Sequence, residues 1–254
     1  MIRLLALLAL LFALPAEAGP EEVVAGLSRD NIGITAAFNG SEVLIYGAVK
    51  RDAPEPGGSP LAVIVTLEGP AHPVTVRRKS RAFGIWVNTD KVRVAAAPSY
   101  YAVATTGPVA EILAPETDVT QRITVPLAVR AFAGPIEVTD ARPFTEALLR
   151  IREEEGVYSL DEGAVRLVED TLFRADFRLP ANLTEGDYKT RIFLLRDGKV
   201  VDRYQTAIYV RRVGLERWLY ILSRQHAAIY GAMSLALAVF AGWAAAALFR
   251  LIRS

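Results

Sequence analysis

There is no cysteine anywhere in the 254 residues, and histidine occurs only as His72 and His226. The first absence removes thiol nucleophiles, iron–sulfur clusters, cysteine zinc sites and disulfides, and it closes the lipoprotein route, which needs a cysteine just after the cleavage site. The second leaves little imidazole for metal binding or general-base catalysis. His72 stands in Ala71-His72-Pro73 and His226 at the edge of an apolar run, and neither has a carboxylate or serine partner nearby in sequence. Excess charge is missing too. Taking Arg3, Arg250 and Arg253 from the 29 basic residues, and Glu17 from the 28 acidic ones, leaves 26 against 27 for the central body. Such a body has no electrostatic footprint for a phosphate backbone, so no nucleic-acid role is expected. A phosphate-binding glycine loop, a dinucleotide fingerprint, a nucleophile-elbow serine and a helical two-histidine zinc motif are all lacking. Carboxylates are plentiful, but no spacing singles out a pair. No catalytic residue, metal ligand or cofactor-binding residue is therefore assigned, no cofactor is expected, and the chain reads as not an enzyme.

What the sequence does have is an apolar run at each end. Arg3 is followed by an uninterrupted apolar stretch over 4–14, then by Pro15 and the small-x-small pattern Ala16-Glu17-Ala18. That is the anatomy of a signal peptide over 1–18, cleaved after Ala18. The second run, 227–249, carries no charge and, at 1.5 Å per residue, is long enough to cross a hydrocarbon core of ~30 Å. Arg224 and His226 bracket it on one side, Arg250 and Arg253 on the other. Ser234, Ala238, Gly242 and Ala246 fall four apart and share one helix face, where small side chains let a second transmembrane helix approach closely. An alanine-rich helix produces such a stripe by composition as readily. The expected topology is a single-pass protein of the bacterial inner membrane, with its bulk in the periplasm and a cytoplasmic tail over 250–254. Arg211, Arg212, Arg217 and Arg224 make the outer flank the more basic one, against the positive-inside bias. A signal peptide nevertheless commits a long domain to export largely regardless of charge.

Between the two runs the chain reads as mainly β. Alternating Val-, Ile- and aromatic-rich segments recur at 32–38, 42–49, 61–67, 74–79, 84–88, 92–96 and 100–105, with turn residues between them. Asn39-Gly40 and Asp197-Gly198 suit tight hairpin turns, the second joining strands over 187–195 and 200–210. Residues 52–60, rich in Pro and Gly, form a loop. Phe144, Ala147, Leu148 and Ile151 recur at helical spacing and predict one short amphipathic helix closing near Gly156. The fold class expected is an immunoglobulin-like β-sandwich module or modules with that helix and one C-terminal transmembrane helix. The expected divisions are a β-sandwich-like periplasmic domain over 19–115, a proline-spaced linker over 116–143 and a second β-rich domain with the helix over 144–213. A juxtamembrane helix over 214–226 then runs with little or no break into the span.

The most distinctive stretch is 76–88. Arg77, Lys79 and Arg81 project from one face of an extended strand, with Trp86 beyond Gly84. This strip is a candidate ligand or partner surface, weighed against a solvated sheet face whose long side chains cover apolar surface. The Gly-Ile-Trp-Val-Asn segment over 84–88, Pro98-Ser99-Tyr100-Tyr101-Ala102-Val103, Phe144-Thr145-Glu146-Ala147-Leu148, Leu179-Pro180-Ala181-Asn182 with Gly186 and Tyr188, and Val213-Gly214-Leu215-Glu216 before the span form a combination that resembles the uncharacterised alphaproteobacterial putative transmembrane protein family over essentially the whole chain. The resemblance implies an inner-membrane protein with its bulk in the periplasm, and no catalytic residue comes with it. The function expected is a membrane-anchored accessory or interaction protein whose helix docks on an integral inner-membrane partner such as a transporter. The alternative is a periplasmic anion- or ligand-binding or sensing module, its small-molecule ligand not named by the sequence.

Overall fold

A computed structural model describes residues 21–35, 37–51, 59–132 and 142–252, so the expected signal peptide lies outside the described residues. The chain is mainly β, with a long apolar helix at its C-terminal end. Strands β1 (Glu21–Leu27), β3 (Ser41–Arg51), β10 (Arg166–Val168) and β11 (Leu172–Leu179) make one antiparallel sheet in the order β1-β3-β11-β10. A second sheet has the order β2-β13-β12-β4-β7-β9. Its members are β2 (Asn31–Ile34), β4 (Ala62–Glu68), β7 (Tyr101–Thr105), β9 (Tyr158–Asp161), β12 (Gly186–Arg196) and β13 (Lys199–Arg212). Its outer pairs, β2 with β13 and β7 with β9, are parallel. The third sheet is a long hairpin, β5 (Ala71–Ala82) and β6 (Ile85–Pro98), to which the short β8 (Arg130–Phe132) adds. Among the described residues, four helices fall between β7 and β9: α1 (Val109–Ile112), α2 (Pro115–Gln121), α3 (Val125–Ala128) and α4 (Arg142–Glu154).

Side-chain periodicity explains the layering. In β11, Phe173, Ala175, Phe177 and Leu179 are buried, while Arg174, Asp176 and Arg178 are exposed, the period-two pattern of a sheet with one wet face. β4 and β7 are instead buried almost throughout, as their near-continuous apolar sequence requires. The four-stranded sheet shares their core on one side. On the other, Leu113, Ile123 and Val125 of the helical segment join the same buried cluster, and α3 packs on β7 and β9.

Three expectations change here. The segments 19–115 and 144–213 do not pack separately: β11 pairs with β3 and β12 with β4, and the residues involved form one buried cluster. Residues 116–128, read as linker, hold α2 and α3, because Pro115 and Pro126 occupy helix first turns, where a missing N–H costs nothing. Asn39-Gly40 does not close a hairpin. β2 crosses to the edge of β13, while β3 joins β1 and β11; Gly40 has φ 113°, and a Cβ there would lie 2.8 Å from the Leu179 carbonyl oxygen, so both conformation and space call for glycine. Strand order follows the immunoglobulin scheme in part: β1-β3-β11-β10 and β13-β12-β4-β7 are ordered like its A-B-E-D and G-F-C-C′ strands. The parallel β9, the long hairpin and the inserted helices depart from it.

The register fixes which elements leave which end. Glu68, the last residue of β4, is level with Lys189, and Gly186 of β12 is level with Val210 of β13. The β5–β6 hairpin, which continues from β4 and returns into β7, therefore springs from the same end of the sheet at which β13 gives way to α5 (Leu215–Gln225) and α6 (Ala227–Ile252). His226, with φ −133° and ψ 55°, separates the two helices, so the break into the span is one residue long. Within α6, Ala227–Ala246 has mean hydropathy 1.7 and none of it is buried against the rest of the chain. At the opposite end of the sheets, the Glu21 carboxylate accepts from Arg51 Nε at 2.6 Å and from Arg196 Nε at 2.9 Å, tying the two sheets together.

Candidate functional site

The arm formed by β5 and β6 carries the residues singled out by the sequence. Its turn is Phe83-Gly84, with φ 49° and 82°, between the paired residues Ala82 and Ile85. Positive φ at both central positions is the type I′ geometry that suits a right-twisted hairpin and favours Asn-Gly or Asp-Gly. Cross-strand partners share a face. Thr75 pairs with Arg93, Arg77 with Lys91, Lys79 with Asn88 and Arg81 with Trp86. The register shifts between Arg78 and Lys79, leaving Thr89 as the extra residue of a bulge, and this keeps Lys91 and Arg93 on the face of Arg77. Arg77, Lys79, Arg81 and Trp86 are thus brought together, all exposed, and the cross-strand residues Lys91 and Arg93 extend their face. Sequence spacing could not supply those two, because their side depends on the bulge.

The other face of the arm differs. Val92 and Val94 are buried, Val74 and Val76 are half-buried, and α4 packs against β5. Arg78 on this face pairs with Asp90 and lies with its guanidinium carbon 5.6 Å from the Phe144 ring centroid. A shallow cleft of about 280 Å³ lies here between Val76, Arg78, Phe144, Ala147 and Ile151. Beyond α4 the arm is bare: Phe83, Ile85 and Trp86 are 106%, 64% and 69% exposed.

The root of the arm is fastened by buried tyrosines. Tyr158 donates to the Pro98 carbonyl at 2.8 Å, Tyr100 to that of Arg178 at 3.0 Å and Tyr101 to that of Ile123 at 2.7 Å. Arg191 donates to the Tyr101 hydroxyl at 2.9 Å and to the Gln121 carbonyl at 2.8 Å, tying α2 to β12. Burial pushes Tyr101 and Tyr158 up to about 12, and Tyr100 and Tyr188 upward as well. A hydroxyl held this far from ionising serves as a hydrogen-bond donor, not as a base.

A larger cleft, of about 410 Å³, lies at the far end of the sheets between Ser59, Thr106, Glu111, Ile112 and the Asp197-Gly198 turn. Ser59 donates to Asp197 there, a bond that fastens the turn. No group of three or more His, Asp or Glu is placed to hold a metal ion among the described residues. His72 lies exposed at a register irregularity of β5, next to Pro73, and His226 lies at the helix break. On α6, Ser234, Ala238, Gly242 and Ala246 are exposed on one helix, and a Cβ at Gly242 would meet nothing within 4 Å.

Among solved structures, that of Spo0M, a sporulation control protein from Bacillus subtilis, is similar at 13% identity and a TM-score of 0.28, covering 82% of this chain and 56% of that one. The chain thus spans little more than half of that protein, and a likeness at this score carries no argument. No curated protein matches. Residues 22–251 match the family described as "Putative transmembrane protein (Alph_Pro_TM)", a span that takes in both sheets, the arm and nearly all of α6. This chain belongs to that transmembrane protein family.

Proposed function

We propose that this protein is a membrane-anchored, non-enzymatic accessory protein, its body on the periplasmic side, whose α6 docks on a multispan inner-membrane protein such as a transporter. The observation that carries this reading is the span itself. Among the described residues, none of Ala227–Ala246 is buried against the body, and α6 packs on α5. A lone helix with small residues at 234, 238, 242 and 246 offers close backbone approach to another helix, and packing of that kind, not hydrophobicity, associates helices in lipid. The test is a photocrosslinking side chain placed at Ala238 or Gly242 of the full chain in its native membrane. The expected product is one discrete adduct with a polytopic protein, weakened by leucine at the neighbouring small position. Adducts with lipid alone at both positions would overturn the reading, and so would silence of a reporter enzyme active only outside the cytoplasm when it is fused within the body of a well-expressed chain.

A second reading, an anion- or ligand-binding module, is favoured by one observation: Arg77, Lys79 and Arg81 share a face with Lys91 and Arg93, beside Trp86. The vesicle experiment described next decides whether that face answers to a soluble anion.

A further inference from the structure

The arm has features that the fold itself does not use. Its tip places an aromatic residue, Phe83, at φ 49°, where a side chain is normally avoided, and leaves that ring fully exposed. Ile85 and Trp86 beside it are exposed as well, so three large apolar side chains crown one turn. Behind them come Arg77, Arg78, Lys79, Arg81, Lys91 and Arg93 against the single acid Asp90, whereas the rest of the body carries 20 basic side chains against 26 acidic ones. Aromatic rings with basic side chains behind them match the boundary between acyl chains and headgroups, where rings sit at headgroup level and cations meet phosphate.

Position in the fold names the surface. The arm and the α5–α6 anchor leave the same end of the six-stranded sheet, with β12 alone between β13 and β4. β5 is 12 residues long, a reach of roughly 40 Å at the strand rise. The 11 residues of α5 separate the body from the span by at most roughly 16 Å. The arm is long enough to touch the bilayer that α6 crosses. α5 presents matching chemistry: Trp218 and Tyr220 are exposed, and the Arg212 guanidinium lies 4.9 Å from the Tyr220 ring centroid.

We propose that the tip of the β5–β6 arm is a second membrane contact, in which Phe83, Ile85 and Trp86 enter the headgroup region of the bilayer spanned by α6 while Arg77, Lys79 and Arg81 bind its anionic phosphates. The contact rests on anchoring through α6 and on the basic face of the arm; it does not depend on the transporter-docking reading. It holds the body against the membrane at two points instead of letting it swing on α5.

The lack of cysteine makes the test direct, because Phe83→Cys supplies a unique thiol for an environment-sensitive fluorophore. The labelled full chain is reconstituted into vesicles of phosphatidylcholine, with or without phosphatidylglycerol. With the anionic lipid, the expected result is a blue-shifted emission, several-fold brighter and quenched by brominated acyl chains. The signal should fall in Arg77→Gln/Lys79→Gln/Arg81→Gln and as salt rises toward 1 M, where the screening length shrinks to about 3 Å. Trp86 emission in the Trp218→Phe/Trp243→Phe chain gives the same reading without a label. Emission that stays solvent-like and unquenched in anionic vesicles, from both probes in chains with unchanged thermal unfolding, overturns the proposal. A response to inorganic phosphate in phosphatidylcholine vesicles, without bromolipid quenching, also overturns it and assigns the face to a soluble anion. The crosslinking result at α6 is independent of all these outcomes.

Discussion

Among the described residues, two hairpins have two-residue turns at positive φ, and they are built for opposite surroundings. In β12–β13 the turn is Asp197-Gly198, with φ 51° and 74°, and a Cβ on Gly198 would lie 2.8 Å from the Ala114 backbone nitrogen. In β5–β6 the turn is Phe83-Gly84, and a Cβ on Gly84 would meet nothing within 4 Å. The first sequence is the one the turn prefers, and the rest of the fold closes round it. The second puts a large ring where the backbone would rather have Asn or Asp, and among the described residues that ring is left fully exposed. Local geometry is satisfied at both; only one turn is explained by stability.

The largest expected effects lie at the Asp197-Gly198 end. Glu21 is 3% exposed at its side chain and holds both Arg51 and Arg196, which are also largely buried. Glu21→Ala removes the carboxylate from two largely buried guanidiniums, leaving Arg51 its bond to the Asp170 carbonyl and Arg196 its bond to the Ser59 carbonyl, and is expected to cost about 3 kcal/mol, read from denaturant unfolding of the detergent-solubilised chain. On the arm, Arg78 pairs with Asp90 at 61% and 28% exposure, and Asp90→Ala should cost no more than about 1 kcal/mol. Equal losses would erase the distinction between a packed body and an open arm. The Arg196 and Arg51 hydrogen bonds hold the Glu21 carboxyl below its ordinary value of 4.5 against the opposing effect of burial. Its contribution is therefore present above 4.5 and is lost as pH falls through the lowered folded value. Glu21→Gln should flatten that acid limb.

The same contrast separates what the sequence makes legible from what it hides. The β12–β13 hairpin is readable because alternation and Asp-Gly are both local, and the 227–249 span because its length and lack of charge are local. Asn39-Gly40 is an equally local signal and misleads, since β2 finds its partner in β13, more than 170 residues away in sequence. The interleaving that joins 19–115 to 144–213 in one core has the same origin: β3 meets β11 through long-range pairing that no short window contains. Prolines over 108–126 look like linker punctuation until Pro115 and Pro126 are seen at helix first turns. On the arm, the i, i+2 spacing of Arg77, Lys79 and Arg81 places them together. Lys91 and Arg93 join them only through the bulge at Thr89, and the exposure of Phe83 follows from the turn lying beyond the reach of α4.

The arm root supplies the intermediate effect, and it is alkaline. Tyr101 and Tyr158 have folded values of about 12 against 10.0 for the free side chain, burial being the main cause. Between these values the unfolded chain releases protons that the folded chain keeps, so stability is whole below pH 10 and falls as pH rises toward 12. The slope is on the order of 1 kcal/mol per pH unit for each group. Tyr158→Phe should remove one share of that slope, at a cost near neutral pH of about 1 kcal/mol for the bond to the Pro98 carbonyl. Unfolding curves that coincide across this pH range would mean that the root is open to solvent. The arm would then be a loosely hung hairpin and not a rigid strut.

The smallest change in stability carries the sharpest contrast. Phe83→Asn gives the arm the kind of turn that the other hairpin already has. Asn tolerates φ 49° better than Phe, and the lost ring packs on nothing, so stability should hold or rise by a few tenths to about 1 kcal/mol. A residue kept for folding does not behave that way, since its removal leaves a cavity or an unmatched partner. If Phe83 serves a surface outside the chain, the variant gains in unfolding experiments and loses Trp86 quenching in anionic vesicles. Destabilisation by 2 kcal/mol or more would reverse the argument, placing the ring within the fold and returning the arm to the company of the Asp197-Gly198 hairpin.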